Sequence, residues 1–376
     1  MVTVLRKKLS GKKIGVVFGT FAPLHTGHMS LVHQAKKEQD GVVVIVSGYK
    51  GDRGEQVSLP LDKRFNKARI TFEGDPLIEV RYIDESHMER YPDGWADWLD
   101  GIDGVLSQST LTPDEATYTF YVGEADYAEE FAIRRPQYSV KLADRVLLPI
   151  SGTQIRNNPL PHFESIAAPF RGTFSQNYLV VGAASTGKTT LLKDLSRLLA
   201  APLSLEYARE YQQKHNKRDE ELDYLSYVDL LVGQFNQTGD IIDSQLNKGI
   251  VLADTNSTVT MAYIDYFLKD SITSEQYQSL YHIYLDISKR ERWREIYMIR
   301  PESKYVDDGY RDMGMAEEGV REDFTNHLYN YFIQEGKEDL VTWIDSDTDQ
   351  DSTIFYNNYK NILTRIMNNK NKAFEL

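Results

Sequence analysis

Cysteine is absent from the 376-residue sequence, which excludes disulfides, thiolate zinc sites and cysteine nucleophiles. Positive charge is also scarce, because 43 Lys and Arg residues stand against 56 Asp and Glu residues and give a formal net charge of −13. Sequence-independent nucleic-acid binding needs clustered Lys and Arg, so we expect no DNA partner. No apolar stretch approaches the roughly 20 residues that a membrane-spanning helix needs. The first residues, MVTVLRKKLSGKK, are basic and lack an apolar signal core. We therefore expect a soluble, cytoplasmic protein without a membrane span.

The apolar residues that are present suffice for two folded domains. Hydrophobic residues make up 41% of the chain and aromatic residues 11%. Short β-rich runs alternate with helical patterns, which predicts an α/β fold in which helices cover parallel sheets. The predicted strands are 14–18, 41–48, 118–123, 178–183, 249–254, 282–287 and 340–345.

A proline-rich junction separates the two halves. Pro159, Pro161 and Pro169 interrupt regular structure just before the predicted strand at 178–183. We place the boundary near residue 170, which gives domains of residues 1–170 and 171–376. Each half begins with a strand, a glycine turn and a helix, so we expect two doubly wound parallel-sheet domains.

The first glycine turn is GTFAPLHTGH, residues 19–28. Gly19 lets a ligand approach the backbone, and the free N–H groups of a helix start attract phosphate. His25 and His28 would flank the first turn of a helix that begins near His28. Two imidazoles there can donate hydrogen bonds to a phosphate whose charge grows in a transition state. The segment predicts a nucleotide-transfer site, with two ordinary loop histidines as the alternative.

A second apolar run, in LLPISGTQIRNNP (147–159), leads into another helix start. It supplies Ser151, Thr153 and Arg156. The two hydroxyls can cap the helix or bind phosphate, and Arg156 can clamp the polyphosphate of a leaving group. Alone the segment fits an ordinary capped helix, whereas together with the histidine motif it favours a binding site.

The second glycine turn, GAASTGKT (182–189), fits G-x-x-x-x-G-K-[ST] and lies between a predicted strand and an amphipathic helix. We predict a phosphate cradle in which Lys188 reaches the β- and γ-phosphates of ATP and Thr189 binds Mg²⁺. The expected nucleotide contacts are Gly182, Ser185, Thr186, Gly187, Lys188, Thr189 and Thr190.

Two further strand ends supply carboxylates. Asp254 ends GIVLAD, where a magnesium-binding carboxylate is expected, and LSLEYARE places Glu206 and a substrate-binding Arg209 after another strand. Glu206 or Asp254 can act as the base for an attacking hydroxyl, with helix-start caps as the alternative for both. The arginine-rich stretch 288–314 predicts a lid in which Arg311 stabilises phosphate charge, or else a solvated charged helix.

Residues 12–170 resemble the nucleotidyltransferase superfamily, which is marked by His-x-Gly-His, here at 25–28, and Ile-Ser-x-Thr-x-Ile-Arg, here at 150–156. The resemblance implies that a substrate phosphate oxygen attacks the α-phosphorus of ATP and releases pyrophosphate. The ATP contacts that it implies include Gly19, Thr20 and Phe21, and the acceptor pocket would be bordered by Gly123 to Asp126. Trp95 or Trp98 could stack on a pyridinium ring, with core packing as the alternative.

A nucleotidyltransferase followed by a P-loop kinase resembles the NadR-type bifunctional enzymes over nearly the full chain. The resemblance implies that the second domain phosphorylates ribosylnicotinamide and that the first adenylylates the product, nicotinamide mononucleotide (NMN), to NAD. Both steps would use ATP and Mg²⁺. The chain departs from many relatives at Ala184, where they carry a glutamate. About a dozen residues precede the first predicted strand, too few for the DNA-binding helix-turn-helix of some relatives.

Two other functions stay open at this point. One is a nucleotidyltransferase for another phosphorylated substrate, with the P-loop domain as a regulatory ATPase. The other is a non-catalytic NAD sensor that binds a protein partner such as a nicotinamide riboside transporter. A homo-oligomer is also left open.

Overall fold

The computed structural model describes residues 8–90, 93–142, 149–305, 313–317, 319–345 and 351–370. The chain divides into two compact units, with the division between Phe174 and Ser175. Among the helices in these ranges, none is both long and apolar enough to cross a membrane.

The first unit contains a five-stranded parallel sheet. Its strands are β1 (Lys13–Gly19), β2 (Gly41–Gly48), β3 (Ile78–Asp84), β4 (Thr117–Val122) and β5 (Ser139–Leu142). They lie in the order β3-β2-β1-β4-β5. The α-helices are α1 (Thr26–Glu38), α2 (Leu61–Thr71), α3 (Trp95–Ser109), α4 (Ala125–Arg134), α5 (Gly152–Asn157) and α6 (Ala168–Arg171). Short 3₁₀ helices cover Glu55–Val57, Pro113–Glu115 and Leu160–Ser165.

Both faces of this sheet are buried, which explains the continuous valine runs of β1 and β2. Val16 pairs in register with Val43, and Val17 pairs with Val44. The first pair faces one apolar cluster and the second pair faces another on the opposite side of the sheet. Parallel strands covered by helices on both faces read as near-continuous apolar segments rather than alternating ones.

The second unit contains another five-stranded parallel sheet. Its strands are β6 (Gln176–Val181), β7 (Leu203–Ser204), β8 (Ile250–Ala253), β9 (Glu295–Ile299) and β10 (Val341–Ile344). They lie in the order β10-β9-β6-β8-β7. The α-helices are α7 (Lys188–Leu199), α8 (Tyr207–His215), α9 (Tyr224–Ile242), α10 (Ser257–Tyr263), α11 (Ser274–Ser288), α12 (Val320–Gln334) and α13 (Asp351–Lys370). A π-helical turn covers Ile264–Leu268, and 3₁₀ helices cover Asp219–Glu221, Lys269–Ser271, Met313–Ala316 and Glu338–Leu340.

Each glycine turn follows a strand that lies between two others in its sheet. β1 lies between β2 and β4, and β6 lies between β8 and β9. In open parallel sheets, ligands bind in the crevice beyond the carboxyl ends of the strands, where the connections from two neighbouring strands run in opposite directions. The prediction of two doubly wound α/β domains is confirmed, and the fold places both glycine motifs at these crevices.

One strand prediction is wrong. Residues 282–287 lie inside α11, and the strand of that region is β9, further along the chain. The aromatic and β-branched composition of HIYLDI favours a strand locally, but Leu280, Tyr284 and Ile287 are buried at helical spacing. A capping box at Thr273 also starts the helix. Tertiary burial therefore outweighs the local β-propensity.

Within the stretch 288–314, residues 295–299 form a strand, so this part is neither a lid nor a charged helix. This strand is β9, whose Ile296 to Ile299 are buried between β6 and β10. Arg290 precedes the strand with its guanidinium 4.6 Å from the centre of the Phe235 ring. Arg311, the arginine predicted to stabilise phosphate charge, lies outside the described residues.

The sequence analysis also missed β3. Its alternating charges, Glu79 and Arg81, hide a strand that pairs only with β2 at the edge of the sheet. The two side chains form an ion pair at 2.8 Å, so their opposite charges compensate each other within the strand.

Candidate functional site

The loop that follows β1 is closely packed. Phe21 is 2% exposed and has a left-handed backbone, with φ of +47°. The backbone N–H of Ala167 donates to the carbonyl of Leu24 at 3.0 Å. A Cβ atom on Gly19 would lie 3.3 Å from the Phe21 ring, so glycine leaves room for that ring. The loop therefore presents its backbone at the end of β1 in a fixed form.

The two predicted histidines lie together at the start of α1. Their rings are stacked, with centroids 3.7 Å apart and planes 29° from parallel. A Cβ atom on Gly27 would lie 3.1 Å from Cε1 of His25, so glycine at this position permits the stack. His28 also contacts the ring of Phe21 at a centroid distance of 4.9 Å. The His-x-Gly-His motif thus forms one compact imidazole pair.

Burial keeps His25 uncharged at neutral pH. The residue is 3% exposed, and burial, with a further contribution from the positive charge of Arg156, lowers its pKa from 6.5 to about 4. Its Nδ1 atom is buried, and no atom of the described residues hydrogen-bonds it. A neutral imidazole has one N–H donor and one acceptor. His25 can therefore present a hydrogen bond to a ligand without carrying charge in the free protein.

Arg156 reaches the same loop from α5. Its Nη1 donates to the carbonyl of Ala22 and its Nη2 to Oγ1 of Thr153, both at 2.9 Å. Ser151 forms a capping box with Gln154, in which its hydroxyl accepts the Gln154 N–H at 3.2 Å. Ser151 therefore acts as a helix cap, and Thr153 orients the arginine.

Arg53, which the sequence analysis missed, adds a second guanidinium. Its Nη2 donates to Oγ1 of Thr20 at 2.8 Å. Burial and the positive charge of Arg53 both lower the pKa of Arg156. Two cations that repel each other beside a helix start favour an anion between or near them. The signal in the sequence was the glycine-flanked segment GDRG (51–54), which begins three residues after the end of β2.

A buried ion pair holds the Arg53 loop. Arg64 is fully buried, and its two Nη atoms donate to the carboxylate of Asp52 at 3.0 and 2.7 Å. The same carboxylate accepts the backbone N–H groups of Gly54 and Glu55. A Cβ on Gly48 or Gly54 would lie 2.0 or 1.6 Å from the Arg64 guanidinium. The glycines thus make room for the pair that shapes the loop.

A cavity of about 410 Å³ lies in the first unit. Its lining residues are Tyr49, Glu85, Met88, Glu89, Arg90, Gly94, Trp95, Trp98 and Tyr127. Trp95 and Trp98 line the cavity and also pack against Tyr127, and the stacking of either ring on a pyridinium stays a prediction. Gly123 and Asp126 are exposed and are not lining residues. The aromatic ring that α4 contributes is that of Tyr127.

The second site is the turn between β6 and α7. Gly182 and Gly187 have φ of +144° and +80°, conformations that glycine adopts readily. A Cβ on Gly182 would also lie 2.6 Å from the carbonyl oxygen of Ile299. Ser185 has a φ of +61°, and Thr190 is exposed. The glycines therefore allow the tight turn that a phosphate cradle needs.

Hydrogen bonds hold the side chains of Lys188 and Thr189 in this turn. Lys188 Nζ donates to the carbonyl of Ala183 at 2.7 Å and to Oγ1 of Thr186 at 3.3 Å. The Thr189 hydroxyl donates to Oδ2 of Asp254 at 2.5 Å, and Asp254 is 4% exposed at the end of β8. The fold thus brings Thr189 and Asp254 together from the segments that follow two different strands. The described residues contain no cluster of three or more His, Asp or Glu side chains suited to a metal.

A cavity of about 640 Å³ adjoins this turn. It is lined by Lys188, Thr189, Asp254, Glu206 and Arg209. Glu206 precedes α8 and pairs with Arg209 at 3.5 Å. The cavity also has acidic and aromatic walls, formed by Asp219, Glu220, Asp223, Tyr224, Tyr227, Tyr263 and Phe267.

Comparisons with known proteins agree with this division. Residues 16–158 match the cytidylyltransferase-like family, and residues 177–335 match an AAA domain family. The chain is 28% identical over 351 residues to the trifunctional NAD biosynthesis/regulator protein NadR of Escherichia coli K12, covering 90% of this chain and 80% of that protein.

Two solved structures match nearly the whole chain. One is a NadR protein in complex with NR, with 36% identity, a TM-score of 0.85 and coverage of 99% of this chain and 100% of that one. Another is a NadR protein in complex with NAD and AMP-PNP, with 35% identity, a TM-score of 0.81 and coverage of 98% and 99%. Fold, motifs and full-length similarity agree, and the chain belongs to the NadR family.

Proposed function

We propose that the chain phosphorylates ribosylnicotinamide to NMN and adenylylates NMN to NAD, with ATP as co-substrate in both steps. The observation that carries this proposal is the presence of two anion sites, one in each unit, together with an aromatic, acidic cavity in each unit. The nicotinamide of both substrates is a pyridinium cation, which aromatic faces and carboxylates attract. The NadR structures with NR and with NAD and AMP-PNP support the same substrates.

In the adenylylation step, a phosphate oxygen of NMN bonds to the α-phosphorus of ATP. The bond from that phosphorus to the bridging oxygen of the β-phosphate breaks, and pyrophosphate leaves. His25 and His28 donate hydrogen bonds to the α-phosphate, while Arg156 and Arg53 hold the departing pyrophosphate. The backbone of residues 19–21 contacts the nucleotide.

In the kinase step, the 5′-hydroxyl of ribosylnicotinamide attacks the γ-phosphorus of a second ATP and ADP leaves. Lys188 holds the β- and γ-phosphates within the turn of residues 182–190. Glu206 accepts the hydroxyl proton, because Asp254 is already engaged by Thr189. Arg209, which forms an ion pair with Glu206, binds the substrate beside this base.

Thr189 and Asp254 also fit Mg²⁺. The ion prefers hard oxygen ligands, and it usually takes only one or two from the protein beside substrate phosphates and water. The hydroxyl and carboxylate oxygens are 2.5 Å apart at the phosphate turn, which suits this role. When bound, the ion neutralises charge on the phosphates. We also propose a cytoplasmic location. We propose no DNA partner, because a net charge of −13 opposes attraction to the phosphates of DNA.

The test is to incubate the purified chain with ribosylnicotinamide, ATP and Mg²⁺ and to follow products by chromatography. We expect NMN to appear first and NAD to follow, over many turnovers. Nucleotide binding without turnover would contradict the proposal and would favour a sensor. Turnover of another phosphorylated substrate, with none of NMN, would favour a different nucleotidyltransferase.

A further inference from the structure

We infer that Glu85 makes the first unit selective for NMN over nicotinate mononucleotide, in which a carboxylate replaces the carboxamide. This inference rests on the proposed adenylylation of NMN. It concerns the cavity of about 410 Å³, which is lined by Glu85 together with the rings of Trp95, Trp98 and Tyr127.

Glu85 occupies a fixed position at the carboxyl end of β3. Its backbone N–H donates to the carbonyl of Gly48 at 2.8 Å, which ties it to the end of β2. Its side-chain Oε1 accepts the indole N–H of Trp98 at 3.1 Å. The carboxylate is therefore held against an aromatic ring of the cavity rather than extended into solvent.

The charge of Glu85 is partly removed from water. Burial raises the pKa of its carboxyl, while hydrogen bonds from Ser47 and Trp98 and the positive charge of Arg90 act in the opposite direction. A negative charge in such a setting acts more strongly on a bound ligand than one in bulk water does. A second negative charge placed in the cavity would therefore be repelled.

Arg90, the cation that lines the cavity, does not cancel this repulsion of a second negative charge. The Arg90 guanidinium lies 3.5 Å from the centre of the Tyr49 ring, and its Nη1 donates to the backbone carbonyl of Glu85 at 3.2 Å. It is held by an aromatic face and by the same turn that positions Glu85. Arg90 thus orders the acidic wall of the cavity instead of offering an open carboxylate site.

The chemistry of the two substrates differs at one group. A carboxamide carries two N–H donors that a carboxylate oxygen of Glu85 can accept, whereas nicotinate offers only acceptors and a negative charge. A site built to accept a substrate N–H rejects analogues that lack it, because its polar group is then left unpaired. Glu85 would therefore favour the amide and disfavour the acid.

The experiment measures kcat/KM for NMN and for nicotinate mononucleotide with the full chain, its Glu85→Gln variant and a matched Asp97→Asn control. Glutamine keeps the size of the side chain and an acceptor for Trp98, but it can donate to a carboxylate. We expect Glu85→Gln to raise the ratio of kcat/KM for nicotinate mononucleotide to kcat/KM for NMN by at least about tenfold. Asp97 is exposed on α3 and does not line the cavity, so its variant loses the same charge and should keep the wild-type ratio.

Two results would overturn the inference. One is a ratio for folded Glu85→Gln that stays within about twofold of wild type or of the control, well below the expected discrimination. The other is an equal kcat/KM of the wild-type protein for the two mononucleotides, a result that can be obtained without any variant. If wild type converts neither, the proposed adenylylation itself fails, and phosphorylation of ribosylnicotinamide by the second unit shows whether the preparation is active.

Discussion

The two proposed anion sites are built in different ways. The site of the second unit is one continuous turn, in which Gly182 and Gly187 adopt left-handed conformations and Lys188 is tied to the backbone of the same turn. The site of the first unit is assembled from side chains of three separate segments, since His25, Arg53 and Arg156 come from beyond β1, beyond β2 and from α5. A site formed by one continuous turn can be recognised in the sequence as a short motif. A site formed by side chains that are distant in the sequence can be recognised only once the fold is known.

The largest expected effect separates the two sites. Lys188→Ala removes the cation that serves the transferred phosphate, so we expect phosphorylation of ribosylnicotinamide to fall by about 10³-fold or more. Adenylylation of NMN should be unchanged, because the other site has its own cations. Both rates are measured by product assay, with Lys193→Ala as the control, since Lys193 is exposed on the same helix.

Loss of adenylylation in folded Lys188→Ala would mean that the sites are not independent.

The reciprocal change tests the histidine pair. His28→Ala removes a donor to the transition-state phosphate, which typically costs about 10²–10³ in rate. NMN should then accumulate from ribosylnicotinamide, and mixing this variant with Lys188→Ala should restore NAD synthesis. His33→Ala is the matched control, because His33 is exposed one turn further along α1.

Near-normal NAD formation by His28→Ala would remove this histidine from the mechanism. Failure of the mixture, with each variant keeping its remaining activity, would show that NMN does not pass between molecules.

Breaking the buried ion pair between Asp52 and Arg64 should have a smaller effect, mainly on the stability of the first unit. Asp52→Asn leaves the fully buried Arg64 without its charge partner, and breaking such a pair costs about 3–5 kcal/mol. The first unit should unfold at lower denaturant concentration, and its KM for ATP should rise because Arg53 is no longer held. Denaturant unfolding and kinetics measure the two effects. A change of Glu73, an exposed acid, to Gln should alter neither.

An unchanged KM in Asp52→Asn would show that the ion pair stabilises the unit without positioning Arg53.

The difference between the sites explains how far sequence reasoning reached. The predicted fold class and family are confirmed. They could be predicted because a strand followed by a glycine turn, and each of the two motifs, is a contiguous pattern in the sequence. The assigned roles of individual residues stay predictions. Arg53 and Glu85 were missed because each is an ordinary charged residue until β2 and β3 bring it beside the histidine loop or the aromatic cavity. The strand predicted at 282–287 failed because burial at helical spacing decided its structure.

The smallest effect concerns the charge state of His25. Its folded pKa of about 4 lies below the unfolded value of 6.5, so the folded state binds fewer protons between these values. The stability that neutral His25 contributes is present above pH 6.5 and is lost as the pH falls from 6.5 towards 4. Between pH 7 and pH 5 the free energy of unfolding of the first unit should fall by roughly 2 kcal/mol more in wild type than in His25→Gln.

Hydrogen exchange of the β1 amides, corrected for the intrinsic effect of pH, measures this free energy in the first unit alone. The second unit serves as the internal control, since exchange of the β6 amides should respond to pH equally in both proteins. Saturating NAD should reduce the difference, because a phosphate beside His25 favours the imidazolium and raises the folded pKa. Equal pH dependence of wild type and His25→Gln would show that His25 is not held neutral. A difference that NAD leaves unchanged would place the bound phosphates away from this ring.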